Sequence, residues 1–151
     1  MTRSNARELA AHLIYEMDYT NETASQTIET RLERGYYSEL ASENEIYSER
    51  PSKKQMAYIC ACVEGVAERL EELDGYISKF SVGWNLSRIS RFTKAAMRLA
   101  MFEVLYVDDV PTGVAINECV ELTRKYEDEE VVSFVNGILG SFARSLKETA
   151  Q

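Results

Sequence analysis

Prolines number only two and glycines seven in this chain of 151 residues, and that scarcity of turn formers speaks against a turn-dense β fold. Histidine occurs once, as His12, and cysteine three times, as Cys60, Cys62 and Cys119. The single residue between Cys60 and Cys62 is not the gap of a structural zinc pair, and no second pair follows. Buried, reduced thiols are therefore expected, with no metal and no other cofactor. An odd cysteine count without a signal peptide points to the cytoplasm. No apolar run approaches the roughly 20 residues of a membrane span, so no membrane association is expected. There is no Ser/His/Asp or Cys/His set and no glycine-rich phosphate loop, so the chain is not expected to be an enzyme. His12 falls on the outer side of its helix by periodicity. Basic excess is lacking too: the formal net charge is -8, which argues against indiscriminate binding to phosphate backbones.

What remains is helical patterning. Apolar residues make up 45% of the chain, enough for a real core in one domain spanning 1–151. A first helix opens near Ser4 or Asn5, with Asn5 and Glu8 in capping-box spacing and Ala6, Leu9, Ala10, Leu13 and Met17 on one face. "SQTIETRLERG" predicts a shorter helix capped by Ser25 and closed by Gly35. From Tyr36 to Pro51 the pattern fades into a polar, tyrosine-rich loop. Ser52 and Gln55 form a second capping box, and a long helix then runs to about Phe80, with Gly65 or Gly75 as places to bend. After the joint "SVGWNLS", the segment from Ser90 to Tyr106 is apolar almost all round beyond Lys94, as the central helix of a bundle would be. "DDVP" ends it.

The next helix turns Ala115, Ile116, Cys119, Val120, Leu122 and Tyr126 inward and Asn117, Glu118, Glu121, Arg124 and Lys125 outward. Val131 to about Lys147 forms the last. The expected fold is an all-α, single-domain bundle of six or seven helices.

Charge is unevenly distributed. Between Asn85 and Ala100 stand Arg88, Arg91, Lys94 and Arg98, with no acid. Positions 91, 94 and 98 lie within roughly 60° of one another on a helix. Such a stripe can focus potential for a nucleic acid, or pair with acids of neighbouring helices. Arg3 and Arg7, four apart, make a second, smaller basic patch. Arg98 and Glu103 sit in the most apolar helix about 140° apart, so each needs a partner elsewhere. Asn136-Gly137 falls mid-helix, where close packing would explain the glycine. The run Glu127 to Glu130 suits a helix start, as a solvated cap or as a dock for a basic partner.

Four stretches together resemble the NusB transcription antitermination family: "NARELAAHLIYEMD", "VEGVAERLEELDGYI", "WNLSRISRFTKAAMRLAMFEVLYVDDVPTGVAINECVELTRKY" and "SFVNGIL". The most specific part runs from Trp84 to Leu139, where "DVP", "VAINE", "VELTRKY" and "FVNG" follow in order. The resemblance implies a cytoplasmic all-α protein of bacterial transcription that pairs with NusE, a small-subunit ribosomal protein. Together they would bind single-stranded boxA RNA within an RNA polymerase antitermination complex on ribosomal RNA operons. By similarity the RNA side would use Arg3, Arg7, Lys94 and Arg98, with Arg91 flanking. The NusE side would use Tyr15, Tyr126 and Glu130, lying near one another.

Family members often carry a dense arginine run at the N-terminus, whereas "MTRSNAR" offers two. Two other readings stay open: a protein-interaction module of this fold without RNA binding, and an RNA-positioning module related to RNA cytosine methyltransferases. For the latter, the chain reaches Gln151 without a cofactor-binding domain. Proteins of this fold occur as monomers and as homodimers.

Overall fold

The computed structural model describes residues 1–83, 87 and 89–150; Arg88 and the Trp84–Leu86 part of the expected joint lie outside them. All regular structure among the described residues is helical, with eight α-helices and one 3-10 turn. They gather into two compact units, Met1–Glu68 and Arg69–Gln151.

The first unit is built on α1 (Arg3–Thr20) and α4 (Lys53–Glu68), with α2 (Ala24–Arg31), α3 (Arg34–Leu40) and the 3-10 turn Glu45–Ser48 between them in sequence. α1 packs chiefly on α4 and then on α2. Ala6, Leu9, Ala10, Leu13, Ile14 and Met17 of α1 are buried, as are Ile59, Cys62, Val63 and Val66 of α4.

Capping decides where these helices begin. α1 starts earlier than expected because the hydroxyl of Thr2, not Asn5, accepts from the Asn5 amide at 3.0 Å. α2 likewise starts at Thr23 rather than Ser25. Thr23 accepts from the Gln26 amide at 3.1 Å, and the Gln26 side chain accepts from the Thr23 amide at 2.9 Å. A capping box needs Glu or Gln three residues on, and Thr23 has it. The box at Ser52 and Gln55 forms as expected, at 3.2 and 2.9 Å.

The expected loop from Tyr36 to Pro51 is instead ordered around two tyrosines. Tyr37 and Tyr47 meet edge to face at 5.2 Å, and both are buried. The Tyr37 hydroxyl donates to the Glu49 carbonyl at 2.8 Å, and the Tyr47 hydroxyl lies 3.2 Å from Nδ1 of His12. Burial pushes the Tyr47 phenol up to about 12, so it stays a neutral hydroxyl. His12, expected outward, is thereby half-buried between Tyr47 and Glu8, whose carboxylate is 3.7 Å from its Nε2.

In the second unit, α5 (Leu70–Phe80), α6 (Arg91–Tyr106), α7 (Thr112–Tyr126) and α8 (Glu129–Ala150) pack as neighbours. The long helix expected to run to Phe80 is interrupted at Arg69, with φ -122° and ψ 23°. Neither Gly65 nor Gly75 makes the break; both lie within helices. The Arg69 guanidinium lies 4.2 Å over the ring of Tyr106, a cation–π contact that rewards leaving the helical path. This break and the unforeseen α3 raise the helix number above six or seven.

α6 is the enclosed helix. Ala95 to Glu103 are buried without interruption, and Ser90 caps its start by accepting from the Thr93 amide at 3.1 Å. On α7 the inward set differs in two places: Thr123 is fully buried, its hydroxyl donating to the Cys119 carbonyl at 2.8 Å, and Tyr126 turns outward. Burial pushes the Cys119 thiol up to about 12, leaving a protonated, inert thiol.

Close packing does not explain Gly137. It is exposed within α8, and a Cβ there would meet open space. Gly137→Ala should therefore stabilise the chain by about 1 kcal/mol, read as a higher denaturant midpoint at unchanged slope.

Candidate nucleic-acid and partner surfaces

The start of α6 is where cations stand ready. Its first turn holds no acid. Arg91 is exposed and Lys94 half-buried, and among the described residues no side-chain hydrogen bond or ion pair occupies either. The turn is held by its neighbours. The Ser90 hydroxyl donates to the Thr93 hydroxyl at 3.1 Å, and Thr93 donates to Oε1 of Glu127 at 2.9 Å. The Phe92 ring packs on Tyr126, centroids 4.6 Å apart. A cationic helix start is thereby fastened to the end of α7, whose continuation is acidic.

Arg98 behaves differently from its stripe. It is 4% exposed, and its Nε and Nη2 donate to the two carboxylate oxygens of Asp74 on α5, at 2.7 and 2.8 Å. Instead of pointing out as a phosphate ligand, it makes a bidentate ion pair inside the second unit. The physical reason is the apolar surround, which makes an unpaired guanidinium costly. Nothing local in the sequence marks Asp74 as the partner, since it lies 24 positions away.

In the first unit Arg7 is buried, so it adds no exposed charge to the expected amino-terminal patch. Arg3 is half-buried, its guanidinium 3.8 Å from the centre of the Tyr58 ring on α4. Of the two arginines of the amino-terminal patch, Arg3 is the one near solvent.

The residues expected to meet a partner protein divide between the units. Tyr15, on α1, is half-buried and stacks on Tyr19 at 6.3 Å; Tyr19 is 64% exposed and was not foreseen. Tyr126 ends α7 and is 43% exposed, and Glu130 is exposed in the first turn of α8. Between these two helices, Arg124 donates from Nη1 to Glu121 at 2.6 Å and from Nε to Glu129 at 3.0 Å. Its hydrogen bond to Glu129, then the charges of Glu121 and Glu129, raise its pKa above the ordinary arginine value. This clamp holds the outer face of α7 against the acidic corner.

Among the described residues no cluster of histidine, cysteine or acidic side chains could hold a metal ion, and no helix is long and apolar enough to cross a membrane. The fold and these surfaces define an all-helical protein whose polar chemistry sits on helix ends and corners. The chain belongs to the NusB family, whose model matches residues 4–144. It is 41% identical to the transcription antitermination protein NusB of Acetivibrio thermocellus over 144 residues, covering 95% of this chain and 90% of that one. Its identity to the NusB of Clostridium perfringens is 35% over 147 residues, covering 97% of this chain and all of the relative. Among solved structures it is similar to T. maritima NusB, with a TM-score of 0.75 and 27% identity over 95% of this chain and 92% of that one. A crystal structure of the antitermination factors NusB and NusE in complex with dsRNA has the same fold, with a TM-score of 0.72 at 24% identity and 95% and 96% coverage.

The Arg98–Asp74 pair has a direct test. Asp74→Ala removes the carboxylate that both ends of the buried Arg98 guanidinium donate to and should cost about 3 kcal/mol of stability, measured by denaturant unfolding.

Proposed function

We propose that this chain is a cytoplasmic transcription antitermination factor that acts by binding, not by catalysis. It pairs with NusE and contacts single-stranded boxA-like RNA, as part of an RNA polymerase antitermination complex. The observation that carries the RNA half is the acid-free start of α6, where Arg91 and Lys94 stand without ion partners among the described residues. Arg3 supplies a further contact from the first unit. Arg98 supports the surface from within by fixing α6 to α5, and Arg7 is buried beneath α1's start. The partner half rests on Tyr126 and Glu130 in the second unit and Tyr15 in the first. An acidic chain suits a basic ribosomal partner, whose charge offsets the net -8.

A second reading, a protein-contact module without RNA binding, draws on the engagement of Arg98 and the burial of Arg7, which leave few free cations. Binding of a labelled boxA RNA, with and without NusE, separates the two. The parent chain should bind weakly alone and markedly better with NusE. Lys94→Glu should weaken binding to boxA and scrambled RNA alike and flatten the salt dependence by about 0.7 in log–log slope. If Lys94→Glu binds like the parent, the second reading stands. Calorimetry and stopped flow should find NusE binding by Glu130→Lys roughly tenfold weaker at low salt, mostly through slower association. Unchanged binding would exclude Glu130 from the interface.

A further inference from the structure

The acidic run that follows Tyr126 suits a solvated helix start, yet its first three carboxylates each engage a different helix. Glu127 reaches α6, where it accepts from the Thr93 hydroxyl at 2.9 Å. Asp128 accepts from the Val131 amide at 3.1 Å and so caps the start of α8. Glu129 accepts from Arg124 of α7 at 3.0 Å. The backbone of α7 ends at Glu127 too, whose amide donates to the Thr123 carbonyl at 2.8 Å. The run is therefore a knot of three helices, and the Glu127 side chain ties it to α6.

That tie continues into the cap of α6. The Thr93 hydroxyl donates to Glu127 while accepting from the Ser90 hydroxyl at 3.1 Å, and Ser90 in turn accepts from the Thr93 amide at 3.1 Å. A hydroxyl that donates and accepts at once has its proton direction fixed, and a carboxylate at the end of the chain strengthens the bonds along it. Thr93 is 0% exposed, so it can touch neither an RNA nor a partner protein. Glu127 is half-buried. Their neighbours in the chain are nonetheless the groups assigned to those two ligands. Arg91 and Lys94 stand on either side of Thr93, while Tyr126 precedes Glu127 and Glu130 lies three residues beyond it. The hydroxyl thus joins two surfaces without belonging to either.

We propose that Glu127 is a positioning residue for joint binding. Its bond to Thr93 fixes the angle between the cationic start of α6 and the α7–α8 corner, so that RNA held by Arg91 and Lys94 meets NusE seated at Tyr126 and Glu130. Two sites joined rigidly at the right spacing present the second to a ligand at high effective concentration. A joint that swings lowers that concentration without weakening either site alone. This rests on the functional reading above, and its test lets the two fail separately.

The probe is a fluorescein-labelled single-stranded boxA RNA, titrated by fluorescence polarisation against the full chain, alone and with saturating NusE. The quantity read is the gain, the ratio of the two Kd values. Thr93→Val keeps the shape of the buried side chain and removes its hydroxyl, and it should lower the gain roughly fivefold or more. NusE binding without RNA, followed by calorimetry, should stay within about twofold of the parent, since Thr93 touches neither ligand. Glu127→Ala, at a half-buried position that tolerates truncation, should lower the gain as much and decides the matter if Thr93→Val does not fold. Glu127→Gln keeps an oxygen for the Thr93 hydroxyl while losing the charge, so its gain should remain like the parent's. A parent-like gain in Thr93→Val and Glu127→Ala, with Lys94→Glu still impaired, would overturn the positioning role and leave the RNA reading standing. A gain lost equally in Glu127→Gln would assign the effect to charge, and an equal loss of NusE binding without RNA would assign it to the partner surface; either overturns the proposal. If NusE brings the parent no gain, the functional reading fails and the positioning role with it.

Discussion

Each unit of this protein depends on enclosing one helix along most of its length. In the second unit it is α6, buried without interruption from Ala95 to Glu103; in the first it is α1, buried from Ala6 to Ala11 and again at Leu13 and Ile14. Such helices have no stable existence in water, where an isolated helix of this length is marginal, and they form only as their neighbours close round them. Within α6 the Arg98 guanidinium is met by both carboxylate oxygens of Asp74. The pair is specific in geometry, and it withdraws a cation from the surface.

Enclosure also dictates where function can lie. A buried helix offers the outside only its ends, and the ends here are unlike one another. The start of α6 is cationic and acid-free, while the junction of α7 and α8 carries Glu121, Glu127, Glu129 and Glu130 beside the exposed Tyr126. The Ser90–Thr93–Glu127 hydrogen bonds and the Phe92–Tyr126 contact fasten the two ends to each other. Opposite charges are thus displayed side by side on fixed elements, an arrangement suited to receiving a polyanion and a basic protein at once.

Much of this was legible in the residues. The 3.6-residue pattern located α1, α4, α6 and α7, and the Ser52–Gln55 and Ser90 caps lie where side-chain chemistry puts them. Errors came where two local signals competed. Thr23 prevails over Ser25 because it has glutamine three residues ahead, and Thr2 over Asn5 because its hydroxyl reaches the amide of Asn5 itself, the third residue of the helix. The stretch from Tyr36 to Pro51 lacks a period and so reads as loop, although Tyr37 and Tyr47 bury themselves and order it. The mid-helix place of the "SFVNG" glycine suggests a packing device, but no neighbour approaches it.

By itself the sequence determined the helical class, the core-facing residues and the family, since these rest on periodicity and on motifs close together in the chain. Tertiary structure alone decided which cations are free. Arg91, Lys94 and Arg98 share a helical face and are alike in one dimension, yet Arg98 is turned to Asp74 and the other two are not paired among the described residues. Arg3 and Arg7 are just as similar in sequence, yet Arg3 stacks on Tyr58 near solvent while Arg7 is buried. The reason is that a charge's role is set by what stands within a few ångströms of it. Those neighbours, Asp74 for Arg98 and Tyr58 for Arg3, come from other helices and from far along the chain.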